Sequence, residues 1–461
     1  MNIEQRVRAA LRDLADAVPV APPPAGTVRT RADSPPSRAS GRWLAPALAA
    51  GAVIAVLAAV AVAPGWLTLP GPTGTGDGSV ERPSLPERFA DWTSRTATVA
   101  DAPPGPVIAV YRHGTADTVN LPVLVAADGR TYRHLGDPYS RMTNAGGDPL
   151  LLAPDGTRLA GGGGSLLDLT TGQLTIRPVL PGDALSSWQP TVPLAWSRDG
   201  RWLAYGRIEA GRVPVVPDRP GDRTGLALLD LVTGRVGVMN TGDGLYQQVA
   251  FSPDGTELAV SLEVDGEDRA RTVVRVFNRS GTLLRELEPP TGHLLTPYGT
   301  AWSPDGTLLV VQDPQRPQRF TFLDATGTGT AVPAPVTVEH PGGVELVGWQ
   351  STDTLLVAAD RDTGSLGWLI EVPVAGGAAR VVSEFPDGEH DRIADLRLAA
   401  GLLAVAEIRD TGSPQHGPLP PEQRIGLTVI VAAVVLGGLG AWWLRVRDRR
   451  PPGAGRRTIR R

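Results

Sequence analysis

Three features of the 461-residue sequence predict an all-β domain of radially repeated sheets held between two membrane-spanning helices. An apolar strand followed by S-P-D-G recurs along the middle of the chain, and a second strand that runs into an Asp or Asn turn closed by Gly trails it. Uncharged runs at residues 44–63 and 425–444 bracket the repeats. The balance of 41% apolar and 20% charged residues excludes a fully disordered chain, and the absence of Cys excludes disulfide and thiolate chemistry.

Each uncharged run is about 20 residues, the length that crosses a hydrocarbon core of roughly 30 Å as a helix. Trp43 and Trp66 flank the first and Trp442 and Trp443 close the second, where headgroups would lie. All 44 basic residues are Arg; seven precede the first run and eight follow the second. Positive-inside bias therefore puts both termini in the cytoplasm, and the middle of the chain, with a formal charge of −14 over residues 64–424, outside. A cleaved signal peptide fits less well, because 42 residues precede a span taken from Trp43 and Pro64 follows the A-x-A-like Ala61, Val62 and Ala63.

The copies read LLLAPDGTRLA (150–160), LAWSRDGRWLAYG (194–206), VAFSPDGTELAVS (249–261) and TAWSPDGTLLVVQ (300–312), with a degenerate LVGWQSTDTLLVAAD (346–360). Their aspartates, Asp155, Asp199, Asp254, Asp305 and Asp353, are spaced by 44, 55, 51 and 48 residues. LLDLTTG, LLDLVTG, VFNRSG and FLDATG trail the first four, so one repeat is two hairpins, the four strands of a propeller blade. Strands at residues 107–111 and 121–135 have no S-P-D-G, and residues 396–408 offer two more with no tail. Joined, they make one blade closed by both ends of the chain and six in all, with seven as the alternative if residues 89–137 form a blade alone.

These strings resemble the TolB-like, or WD40-like, propellers, whose blades begin with an apolar strand and W/F-S-P-D-G. The all-Arg basic set matches the codon bias of a high-GC bacterium. The resemblance implies that each motif Asp caps its own turn, so the aspartates are structural and not paired acids or calcium ligands. The six His show no zinc spacing, no G-x-S-x-G elbow is present, and Gly161–Gly164 has no Lys, so no cofactor or metal is expected.

With both turn types on one face, the longer insertions at 207–223, 263–271, 313–319 and 360–365 fall on the other. Trp188, Tyr246, His293, Tyr298 and His390 are the candidate ligand- or partner-binding residues, brought toward the channel mouth by loops of that second face. In the cytoplasm, Ile3, Val7, Leu11, Leu14 and Val18 follow helical spacing, and the helix they predict could dock a cytoplasmic protein or lie on the bilayer. The expected organisation is a helix over 1–18, a disordered tether over 19–42, a span over 43–63, a linker over 64–88, a propeller over 89–410, a linker over 411–424, a span over 425–444 and a basic tail over 445–461. The tail suits anionic lipid better than nucleic acid.

The expected function is a non-enzymatic binding or scaffolding module in the cell membrane, taking an unknown protein or cell-envelope ligand outside. One alternative is transmembrane signalling, since the layout resembles membrane-bound anti-sigma factors but lacks their Cys-containing zinc motif. The other is a hydrolase whose site lies in the channel.

Overall fold

A strand packed between two neighbouring sheets needs apolar side chains on both faces, and runs such as LAVSL (258–262) and LLVAA (355–359) provide them. In the computed structural model, residues 82–418 are described apart from 116–117, 144–148, 178–190, 208–225, 242–244, 265–270, 362–363 and 388–390, together with helical residues 433, 436–440 and 443. The chain divides into two compact units, residues 1–76 and 77–461, and every described residue lies in the second.

The described chain enters through β1 (Ser84–Pro86). The first blade takes β2 (Val107–Thr115), β3 (Thr118–Ala126) and β4 (Tyr132–His134), and the second β5 (Leu151–Leu152), β6 (Arg158–Gly161), β7 (Ser165–Asp168) and β8 (Leu174–Ile176). The third holds β9 (Thr191–Trp196), β10 (Trp202–Arg207), β11 (Leu226–Asp230) and β12 (Val236–Met239), and the fourth β13 (Leu245–Phe251), β14 (Glu257–Val264), β15 (Arg271–Asn278) and β16 (Leu283–Leu287). The fifth holds β17 (Leu294–Leu295), β18 (Leu308–Asp313), β19 (Arg316–Asp324) and β20 (Val336–Thr337), and the sixth β21 (Val344–Ser351), β22 (Thr354–Asp360), β23 (Leu366–Pro373) and β24 (Arg380–Glu384). The chain then runs through β25 (Asp391–Leu398), a four-residue helix α1 (Ala400–Leu403) and β26 (Glu407–Arg409).

Six four-stranded antiparallel sheets result, so the blade count is six. Blades two to six use consecutive strands, whereas the first is ordered β25-β2-β3-β4, its inner strand arriving from the far end of the chain with Ala109 opposite Leu398 and His113 opposite Ile393. Only the first of the two strands expected within residues 396–408 joins this blade. The second, β26, pairs in parallel with β1, Leu85 opposite Ile408. Between them the chain turns through α1 because the N–H groups of Gly401 and Leu402 donate to the Pro154 carbonyl of blade two, at 2.9 and 3.2 Å.

Residues 82–88 of the first segment read as a linker and 411–418 of the second belong to this structure. Residues 84–86 are the buried strand β1; Tyr111 Oη donates to the Ala90 carbonyl at 3.0 Å, and Phe89 stacks on Phe385 with ring centres 4.2 Å apart. Downstream, Gln415 bridges Thr131, and the Ala97 N–H donates to the His416 carbonyl at 2.7 Å. Both ends of the described domain therefore lie against the first blade. The span at 44–63, the helix at 1–18 and the tail at 445–461 lie outside the described residues, as does most of 425–444. Among the described residues no helix is long and apolar enough to cross a membrane.

The buried apolar residues fall into six clusters, each shared by two adjacent blades. Leu151 and Ala160 of blade two, for example, pack with Leu203, Tyr205 and Ala227 of blade three. Gly156 shows how closely blades approach: a Cβ there would run into the Val107 carbonyl, and its φ of +71° already suits glycine.

The S-P-D-G turns have the predicted logic. In blade four, Ser252 Oγ donates to Asp254 Oδ1 at 2.6 Å, Asp254 Oδ1 accepts from the Thr256 N–H at 3.0 Å, and Ser252 Oγ accepts from the Glu257 N–H at 2.9 Å. Ser303 and Asp305 repeat the set in blade five. The second turn of each blade sits beside the first: Leu231 N–H donates to the Arg201 carbonyl, and Arg201 Nη2 meets Asp230 Oδ2 at 2.8 Å. Gly161–Gly164 is a tight turn joining β6 to β7, with Gly161 packed on Met142.

Asp254→Ala is expected to destabilise the propeller by about 1 kcal/mol through the lost cap, read as a lower urea midpoint at unchanged slope. The Thr170 hydroxyl holds the Asp168 carboxyl below the usual range, the Arg201 guanidinium does so for Asp230, and the Thr326 hydroxyl brings Asp324 to about 2. A folded-state value below the unfolded one contributes stability that is complete above about pH 4 and lost as pH falls through the folded value. The thermal midpoint should therefore drop between about pH 4 and pH 2, and Asp324→Asn should flatten that slope.

Candidate functional site

The inner strands β5, β9, β13, β17, β21 and β25 converge on the propeller axis, and a cavity of about 460 Å³ opens where they meet the S-P-D-G turns. Its wall carries Trp196, Phe251, Trp302 and Trp349 and its rim Pro154, Pro253 and Pro304. The repeat itself places the indoles. The residue before the motif Ser ends the inner strand in blade three and forms an isolated bridge with Leu309 in blade five, and its ring leans on the preceding blade, where Trp196 Nε1 donates to the Leu151 carbonyl at 3.2 Å and Trp302 Nε1 to that of Ala250 at 3.1 Å. Phe251 holds the same place without a donor. Trp349 Nε1 reaches the Thr300 carbonyl at 3.0 Å although a register shift between Trp349 and Ser351 adds a residue there, which is why that copy of the motif reads as degenerate.

Arg397, 7% exposed, also lines the cavity. Its guanidinium lies 3.4 Å from the centre of the Tyr298 ring and pairs with Glu345 at 3.2 Å and Asp395 at 3.9 Å, while buried Arg112 holds Asp395 at 3.0 Å. Arg397 Nε is buried without a hydrogen-bond partner among the described residues. Tyr298 and Asp395, which flank Arg397, are the two non-glycine residues with positive φ in the described chain, at 61° and 55°. Burial pushes the Tyr298 hydroxyl and the Glu345 carboxyl up, the latter opposed by Arg397.

The motif of blade three reads S-R-D-G, and its Arg198 stands exposed on the rim. Arg198 Nη1 reaches past blade four to the Pro304 carbonyl of blade five, at 3.2 Å. A second, open groove of about 660 Å³ lies between β24 and β26, and its charges pair with each other, as in Arg380–Glu371 and Arg88–Glu384. Among the described residues no group of three or more His, Asp or Glu is placed to hold a metal ion.

Of the five candidate residues, Trp188 and His390 lie outside the described residues. Tyr298 lines the cavity. Tyr246 is instead buried between blades three and four with its ring against Gly206, and His293 sits in a surface turn with Nδ1 3.2 Å from the Thr291 carbonyl. The cavity thus opens on the face of the S-P-D-G turns, opposite the one from which the five were chosen. Arg198 was detectable in the sequence as the departure from Pro at its position; Arg397, Glu345 and Asp395 carry no repeat signal.

Arg397→Gln should destabilise the propeller by about 3 kcal/mol, because Glu345 loses the charge it faces while Asp395 keeps Arg112. Trp302→Phe should destabilise it by about 1–2 kcal/mol by leaving the Ala250 carbonyl without its donor. Denaturant titration checks both.

No known family's sequence profile matches the chain. It is 28% identical over 98 residues to the Tol-Pal system protein TolB of Francisella tularensis subsp. mediasiatica (strain FSC147), a stretch that is 21% of this chain and 20% of that protein. The chain therefore spans about a fifth of the length of the curated relatives it matches. Among solved structures, TolB from Acinetobacter baumannii aligns with 70% of this chain and 89% of its own at 14% identity and a TM-score of 0.36. The putative TolB from Agrobacterium tumefaciens aligns with 64% and 99% at 13% identity and 0.37. The sheet order establishes the fold independently of these alignments, and the chain is a six-bladed β-propeller similar over part of its sequence to TolB proteins.

Proposed function

We propose that this chain is a membrane-anchored, extracytoplasmic β-propeller that acts as a non-enzymatic binding or scaffolding module through its channel mouth. The observation that carries the reading is the cavity itself. Its aromatic and proline wall is built by the repeat, as rigid as the sheets that hold it, and its size is that of a ligand or side-chain pocket. The curated relatives are named as proteins of the Tol-Pal system, and a protein partner for this chain is proposed on that likeness. The anchors are the apolar runs at 44–63 and 425–444, with both termini in the cytoplasm.

A photo-crosslinking amino acid at Arg198 should give discrete adducts in cells, and the same group at Val238, on the outer strand of blade three, should give none. Adducts from Val238 alone would refute the mouth as the binding surface. Topology is directly testable because the chain has no Cys. A single Cys at Ser280 should react with a membrane-impermeant maleimide on intact cells, and one at Ser34 only after lysis; the reverse pattern would invert the assignment.

A further inference from the structure

The cavity differs in charge from the domain around it. Residues 64–424 carry a formal charge of −14, yet no acidic side chain lines the cavity and two guanidiniums do, Arg198 at the rim and Arg397 below. Arg397 is matched by Glu345 and Asp395, neither of which lines the cavity. Arg198 has no carboxylate: its one partner among the described residues is the Pro304 carbonyl, bound through Nη1. Nε and Nη2 therefore remain for a ligand, and that edge of a guanidinium matches a carboxylate with two parallel hydrogen bonds.

The nearby motif aspartates already have donors. Asp199 accepts from Ser197 Oγ at 2.6 Å and from the Arg201 N–H at 3.0 Å, and Asp305 is held in the same way. Beside the cation the wall is indole, phenyl and proline, which suits a flat apolar group. We propose that the channel mouth binds a small ligand carrying an aromatic group next to a carboxylate, the ring against Phe251 and Trp302 and the carboxylate on Arg198. This assignment rests on the reading of the mouth as a binding surface and names the chemistry it selects.

The test uses the full-length chain in detergent and ligand-detected NMR titration with 3-phenylpropionate, its neutral amide 3-phenylpropionamide and the cationic 3-phenylpropylamine. The acid should bind about ten-fold tighter than the amide, and the difference should vanish in Arg198→Gln and Arg198→Pro. The proline variant restores S-P-D-G, the form the turns of blades four and five already hold, so loss of folding does not confound the result. Equal binding of acid and amide, or tighter binding of the amine because the turn carboxylates dominate, overturns the carboxylate assignment and leaves the mouth as a binding site. Absence of saturable binding by all three overturns the assignment together with the mouth as a small-ligand site, and adducts from a crosslinker at Arg198 would then keep the mouth as a surface for a protein.

Discussion

Pairing of β25 with β2 is the contact on which the rest of this molecule depends. A radial array of sheets has two loose ends, each an apolar face with nothing against it, and only by joining the last inner strand to the first outer ones does every face gain a neighbour. The ladder between Ala109 and Leu398 closes the ring, and the parallel pair β1 and β26 with the Phe89–Phe385 stack closes it a second time on the outside. Because the partners come from opposite ends of the domain, their contact bears the largest loop-closure entropy in the fold, and two independent locks offset it better than one. The cavity exists only when the ring is closed, since Arg397 and Leu398 are supplied by the closing strand.

Within that ring the repeated polar residues serve the turns. The motif Ser and Asp saturate backbone N–H groups that the hairpin would otherwise leave without partners, and the Asp or Asn of the second turn does the same, as Asn278 shows with the N–H groups of Ser280 and Thr282. A regular row of carboxylates on one face is therefore a row of caps, each spent on its own blade. The residues that give the mouth its character are the ones that break the repeat: Arg198 where Pro is the rule, Phe251 where Trp is, and the positive-φ pair Tyr298 and Asp395 around a buried arginine.

The blades were legible in the sequence because each is local. A strand, a turn and the next strand lie within about 20 residues, and S-P-D-G and D-x-T-G report hairpin geometry directly. The sixth blade was legible despite its degenerate motif because Ser351 and Asp353 keep the Ser-to-Asp bond across the bulge after Trp349. The closing blade was legible only as leftover strands. That residues 407–409 leave it to pair with β1 has no local signal, because the turn that follows β25 is held by the Pro154 carbonyl on another blade.

The candidate site was less legible for the same reason. Aromatic type and position along a blade do not distinguish Tyr298, which lines a cavity on the face opposite the expected one, from Tyr246, which is buried in the core between blades. Which end of an axial channel is open depends on how far six inner strands lean together, a sum over the whole ring that no single repeat encodes. Hydrogen bonds and apolar periodicity between near neighbours are enough to specify the all-β class, the repeat and the hairpin turns, and these could be read from the sequence. The choice of six blades over seven, the closing ribbon, the face on which the cavity opens and the meeting of Arg397, Tyr298, Glu345 and Asp395 depend on contacts between residues on different blades, which become fixed when the ring closes.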